Sequence, residues 1–186
     1  DPLLWTLVTD QIALALAKEK PEKEDQFQKT AAHYKSKLIQ LNEYAKTVLN
    51  TVPNKSRVLI TAHDAFGYFG KTYGFDVIGV QGISTNSEAG LYRIKEIVDL
   101  LVEREISAVF VESSVSDRNM RALIEGANAR GHKVSLGGEL YSDAMGIEGT
   151  YEGTYVGMLD HNITTIAKAL GGNPPDLGWQ GKLKAT

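Results

Sequence analysis

Four histidines and no cysteine stand among the 186 residues. Disulfides, thiolate catalysis and cysteine-type zinc or iron–sulfur sites are therefore excluded. One histidine is placed to attempt metal or acid–base chemistry. In LITAHDAFGYFGKTYG (59–74) an apolar run stops at His63-Asp64, and a segment rich in glycine and aromatics comes next. A histidine where a buried strand hands over to a helix can be an inert core residue, a catalytic base or a metal ligand. Asp143 lies in LYSDAMG (140–146), flanked by turn formers. Aspartates in such loops often cap helices or close turns. Taken together, an imidazole nitrogen and a carboxylate oxygen are donor types that suit zinc or manganese.

Other groups offer less. A Ser-His-Asp triad can be drawn from Ser113 or Ser114, His63 and Asp143, but no G-x-S-x-G elbow exposes a serine. The same ESS stretch can start a helix, with Ser116 or Asp117 as its cap. The glycine-rich pieces GGEL (137–140) and GIEGTYEGTYVG (146–157) match neither phosphate-binding fingerprint and read as loops needing glycine conformations. Glu112 ends a buried run and is expected to accept hydrogen bonds from nearby loop N–H groups. His33 falls on a helix flank, His132 at a helix–strand turn and His161 inside a helix; none is read as a ligand. Trp5, Tyr68, Phe69 and Tyr73 read as core or lobe-interface packing rather than a stacking platform.

The elements that must position these residues emerge from periodicity. Residues 3–19 carry Leu4, Leu7, Val8, Ile12, Leu14 and Leu16 and read as a largely buried helix. Pro21 suits the first turn of a second helical run, with Glu22, Glu24 and Asp25 just after it, where the helix dipole favours acids. That run reaches about Leu49 with one apolar stripe through Phe27, Ala31, Tyr34, Leu38, Leu41 and Ala45. After Pro53 come four short apolar runs, RVLITA (57–62), DVIGV (76–80), AVFVE (108–112) and KVSLG (133–137). Helical patterns over 64–73, 88–105, 117–130 and 154–170 alternate with them. The expected fold is α/β: a four-stranded, mainly parallel sheet with flanking helices, preceded by a helical segment. The tail from Asn173 onward is expected to be extended or mobile. Ligands of parallel sheets bind beyond the strand C-termini. His63-Asp64, residues 81–85, Glu112-Ser113-Ser114 and Gly137-Gly138-Glu139, leading on to Ser142-Asp143, are expected at that edge.

Composition narrows the class. The net charge of −3, with mixed signs, offers no basic face for nucleic acid. No apolar run approaches the roughly 18 residues of a membrane span. The chain opens on Asp1-Pro2 without the basic region and apolar stretch of a signal segment. The missing initiator Met points to a trimmed product.

Five stretches then occur in order: TAHDAFGYF (61–69), YGFDVIGVQGISTNSEAG (73–90), VFVESS (109–114), GGELYSDAMG (137–146) and GTYVGMLDHNITTIAKAL (153–170). This succession resembles the C-terminal half of the zinc/manganese-binding solute-binding proteins of bacterial ABC importers, the TroA-like family (cluster A-I, or cluster 9). The resemblance implies two α/β lobes joined by a long helix, with metal in the cleft and two ligands from each side. On this sequence the C-terminal pair falls on His63 and Asp143. Manganese-type relatives often carry Glu at the position of His63, so zinc is slightly favoured. On this reading residues 1–52 are a helical segment including the interlobe linking helix, 53–172 the C-terminal metal-binding lobe and 173–186 a tail. Against the family pattern the N-terminal lobe is expected to lie outside these residues, and Leu3 of Asp1-Pro2-Leu3-Leu4-Trp5 stands in the place of a family histidine ligand.

The expected function is capture of Zn²⁺ or Mn²⁺ outside the cytoplasm, periplasmic or lipid-anchored at the cell surface, for delivery to an ABC permease at the membrane. It is not read as an enzyme. With two of four ligands the isolated chain should bind metal weakly, water filling the other positions. The exposed cleft face is a candidate for self-association. The alternatives are a small metal-assisted hydrolase using His63 and Asp143 around an activated water, and a non-metal adhesion or structural module.

Overall fold

Helix α1 (Pro2–Glu19) starts where its first residues dictate. The Asp1 carboxylate accepts the backbone N–H groups of Leu3 and Leu4 at 2.7 and 3.2 Å. Pro2 occupies the first turn, where its missing N–H leaves nothing unpaired. The Asp-Pro pair thus has a local role as a helix start, whatever stands at position 3. The computed structural model describes residues 1–83 and 90–184. Ser84, Thr85 and the first residues of the helical pattern 88–105 lie outside the described residues.

The chain divides into two compact units, Asp1–Thr47 and Val48–Thr186. In the first, a short 3-10 turn (Pro21–Lys23) leads from α1 into α2 (Glu24–Leu49). Lys35 on α2 pairs with Asp10 on α1 at 2.6 Å. The expectation of a largely buried α1 is corrected: only Pro2 and Ala13 are buried, while Leu7, Ile12 and Leu14 are 61, 54 and 53% exposed. The apolar residues of α1 encircle the helix, so one neighbouring helix covers only part of them. Between α1 and α2 remains a groove of about 400 Å³ lined by Ile12, Leu16, Phe27 and Tyr34 among others. His33 is exposed.

The second unit carries the strands β1 (Val58–His63), β2 (Asp76–Gln81), β3 (Ala108–Glu112) and β4 (Ser135–Leu140). They form two parallel ladders, β1 with β2 and β3 with β4, and β1 also lies beside β3. The connecting helices are α3 (Gly67–Tyr73), α4 (Leu91–Glu103) and α5 (Arg118–Ala129), with α6 (Tyr155–Ala169) after β4. Parallel pairing requires such crossovers. Every residue of β1 is buried, as a strand covered on both faces should be. Alternation puts Val58, Ile60 and Ala62 in one cluster with Ile97 and Leu101 of α4 and Met120 and Leu123 of α5. Leu59, Thr61 and His63 therefore point to the opposite face. His63 is a core position by its strand and a rim position by its place at the strand end.

Three expectations change here. The last strand runs through Leu140 rather than stopping at 137, so Gly137-Gly138-Glu139 is strand and not loop. Its register with β3 shifts between Val109 and Phe110. Gly137 sits at that shift, where a Cβ would lie 2.7 Å from the Phe110 ring and 2.9 Å from Ala169 Cβ. A bulge of this kind bends the strand and re-aims the residues after it. The tail is also not simply extended. A 3-10 turn forms at Trp179–Gly181, and the Trp179 N–H donates to both oxygens of buried Asp160 at 2.9 and 3.0 Å. A buried carboxylate needs such donors. Lastly, of the two cap candidates Asp117 makes no capping hydrogen bond, its carboxylate being taken by Arg121 one turn on at 2.6 Å, whereas Ser116 Oγ accepts the Arg118 N–H at 3.4 Å.

Candidate metal centre

His63 ends β1, and both ends of its peptide unit are held. Its carbonyl accepts from Thr61 Oγ1 at 2.8 Å and from the Ala65 N–H at 3.0 Å, which turns the chain sharply at Asp64. Gly79 of β2 leaves room for that turn. A Cβ there would sit 2.6 Å from Asp64 N and 2.8 Å from His63 C. The His63 N–H donates to Glu112 Oε1 at 2.9 Å. Glu112 ends the neighbouring β3, and its side chain is fully buried. Its other oxygen, Oε2, lies 2.8 Å from His63 Nδ1. That second contact is close but poorly aligned for a hydrogen bond, and neither atom has another hydrogen-bond partner among the described residues.

The far side of the ring faces Asp143. Its Oδ2 lies 3.3 Å from His63 Nε2, and its side chain is 63% exposed against 3% for His63. The loop that carries Asp143 is anchored on both flanks of the strand end. Asn162 on α6 holds the Tyr141 backbone through both of its amide atoms. Ser113 N–H donates to Leu140 O at 3.0 Å, and Ser114 and Ser142 share a hydroxyl–hydroxyl bond of 3.2 Å. The edge beyond the strands therefore brings together His63, Glu112 and Asp143 from three separate segments.

This arrangement favours a cation. The imidazole stands between two carboxylates, one buried and one at the surface. A buried carboxylate is tolerated only when paired and hydrogen-bonded. If the proton of a neutral ring faces Glu112, the Nε2 lone pair and Asp143 Oδ2 confront each other as two electron-pair donors. A positive centre between them removes the conflict. Metal–ligand bonds of zinc to histidine and carboxylate in tetrahedral geometry put two donors roughly 3.4 Å apart, and the observed separation is 3.3 Å. Among the described residues no group of three or more His, Asp or Glu is placed to hold a metal ion. His63 and Asp143 could supply two donors of a four-donor shell.

The same geometry counts against nucleophile activation. A Ser-His-Asp triad needs a serine on one ring nitrogen and a carboxylate on the other. Here both nitrogens face carboxylates, and Ser114 is engaged with Ser142. Two of the remaining three histidines are held elsewhere: His132 Nε2 contacts Ile106 O at 2.7 Å, and His161 Nε2 contacts Glu139 O at 2.9 Å. Phe69 and Tyr73 join an aromatic cluster with Phe66 and Phe75. Tyr68 and Trp5 are 69 and 41% exposed, so neither is a core residue of this chain. Glu112 is the residue whose role sequence reasoning missed. It takes its donor from the neighbouring strand rather than from a loop, and the signal was available: a carboxylate closing an otherwise apolar strand must have a dedicated partner.

Comparison with known proteins agrees with the architecture. The family profile described as zinc-uptake complex component A, periplasmic (ZnuA), matches residues 1–169. The manganese-binding lipoprotein MntA of Bacillus subtilis is 53% identical over 167 residues, covering 90% of this chain and 55% of that protein. The zinc-binding protein TroA of Treponema pallidum is 45% identical over 170 residues, covering 91% and 55%. The solved structure of the periplasmic zinc-binding protein TroA from Treponema pallidum superposes with a TM-score of 0.88, covering 91% of this chain and 61% of that one. The chain thus spans about half the length of the curated relatives it matches. A fold of parallel strands with flanking helices and a profile match across most of its length place it among known proteins: the chain belongs to the ZnuA family of periplasmic zinc-uptake components.

Proposed function

We propose that this chain is the C-terminal, metal-binding portion of an extracytoplasmic solute-binding protein that captures Zn²⁺ or Mn²⁺ and passes it to an ABC permease. The observation that carries the reading is the 3.3 Å separation of His63 Nε2 and Asp143 Oδ2. The cation is cargo, so the site has to release it, and a half-shell of protein donors suits release. The neutral imidazole and the ionised carboxylate are the binding forms, so protons compete with the metal and affinity falls on acidification. The buried carboxylate behind an imidazole is the arrangement commonly found around metal-bound histidines.

Zinc is slightly favoured over manganese because one of the two donors is a nitrogen. Relatives named for either metal bracket the choice. The remaining donors would come from groups other than His63 and Asp143, and the exposed apolar surface of α1 is where further protein mass, or a second copy, would be accommodated. No turnover is assigned.

Calorimetric titration of zinc and of manganese into the wild-type chain and into His63→Ala tests the proposal. Weak, saturable heat in the wild type that disappears in the variant supports it. Equal heat in both removes His63 from the site, and no heat in either favours a non-metal module. Ester or phosphoester hydrolysis dependent on added zinc would favour the hydrolase instead.

A further inference from the structure

We propose that Glu112 is a positioning residue for the metal donor, selecting which nitrogen of His63 is presented. The inference rests on the reading of His63 and Asp143 as the donor pair. One side chain grips His63 at two points. Oε1 accepts its backbone N–H at 2.9 Å, and Oε2 lies 2.8 Å from ring Nδ1. The first contact fixes the strand end, and the second sets a carboxylate oxygen beside Nδ1, within reach after a rotation of the ring.

The choice of tautomer is set by the group each nitrogen meets. Nδ1 and Oε2 are shut off from solvent, and neither has another hydrogen-bond partner among the described residues. If Nδ1 carried the lone pair, two buried acceptors would face each other across 2.8 Å with no donor between them. With the proton on Nδ1, the same pair becomes a charge-assisted contact. Its poor alignment is a matter of ring rotation, since the separation is already within reach. Nε2 is then left with its lone pair toward Asp143. The exposed aspartate alone could not make this selection, because Asp143 can rotate away while Glu112 is locked in the core.

The fold supplies the rigidity this requires. Glu112 is the last residue of β3, paired with Leu140 of β4. Its side chain reaches sideways to β1 where no backbone ladder joins the two strands. Glu112 thus replaces a ladder hydrogen bond for the His63 N–H while orienting its ring.

The test is the nitrogen spectrum of the His63 ring in the ¹⁵N-labelled 186-residue chain, recorded above the ordinary histidine range. The signal is assigned by its loss in His63→Ala. The expected pattern is a protonated Nδ1 and an unprotonated Nε2. In Glu112→Gln, which keeps the volume and can donate to Nδ1, the pattern should move toward the Nε2-protonated form. Zinc affinity should fall roughly 10- to 100-fold with the circular dichroism spectrum unchanged. A protonated Nε2 in the wild type overturns the inference without recourse to any variant. So does a Glu112→Gln chain with unaltered ring pattern and affinity. If the wild type shows the expected ring pattern and binds no zinc, the metal reading fails while the control of the ring by Glu112 stands.

Discussion

Asn162 closes both backbone hydrogen bonds of Tyr141: its Oδ1 accepts the Tyr141 N–H at 2.9 Å and its Nδ2 donates to the Tyr141 carbonyl at 2.7 Å. A side-chain amide from α6 thus plays the part of a neighbouring strand for the first residue past β4. Asp143 comes two residues later. Replacing Asn162 with Ala takes these partners from a half-buried N–H and carbonyl, a loss of about 1–2 kcal/mol. Urea unfolding should show a lower midpoint at unchanged slope. Metal affinity should fall as well, because the Asp143 loop loses its anchor.

Gly79 should be intolerant of any side chain. Its Cβ would lie 2.6 Å from Asp64 N, 2.8 Å from His63 C and 2.8 Å from Gln81 O, all backbone atoms that cannot swing aside. Gly79→Ala should therefore displace the turn after His63, at a stability loss of about 1–3 kcal/mol. Thermal unfolding and zinc titration should both register the change. Gly67→Ala, where a Cβ meets nothing within 4 Å, is the control that should leave the centre intact.

Two tyrosines should titrate late. Burial pushes the Tyr34 phenol above its ordinary value of 10.0. At Tyr141 burial acts first, and the charges of Glu139 and Glu152 add to it. The raised folded-state values mean that the folded chain keeps protons the unfolded chain has already lost. These phenols therefore leave stability undiminished below about pH 10 and lower it as pH rises beyond. Tyrosinate absorbance against pH should contain a late component, reduced in Tyr34→Phe and in Tyr141→Phe. Denaturant midpoints should decline over the same alkaline range.

How much of this was legible beforehand varies by residue. β1 and β3 could be read directly, since VLITAH and AVFVE are continuous apolar runs bounded by turn residues and a double-covered parallel strand looks like that. His63 could be placed because a strand end fixes an edge. Glu112 could not be matched to its partner, because the contact joins residues 49 apart in sequence and depends on which strands become neighbours. The end of β4 was misplaced because two glycines suggest a loop, whereas here they make room for Phe110, Ala169 and Thr165. The tail was misread because its order comes from Asp160, a single buried acceptor on α6. The apolar content of α1 was read as burial, although apolar residues describe what a helix could bury, and not what is there to cover it.

The central claim, that His63 and Asp143 hold a metal ion between them, is tested most directly by anomalous diffraction at the zinc edge from crystals of the chain grown with zinc. The account predicts one peak roughly 2.0–2.2 Å from both His63 Nε2 and Asp143 Oδ2. Zinc bound at any site that leaves this pair untouched, or no peak beside them at saturating zinc, would contradict it.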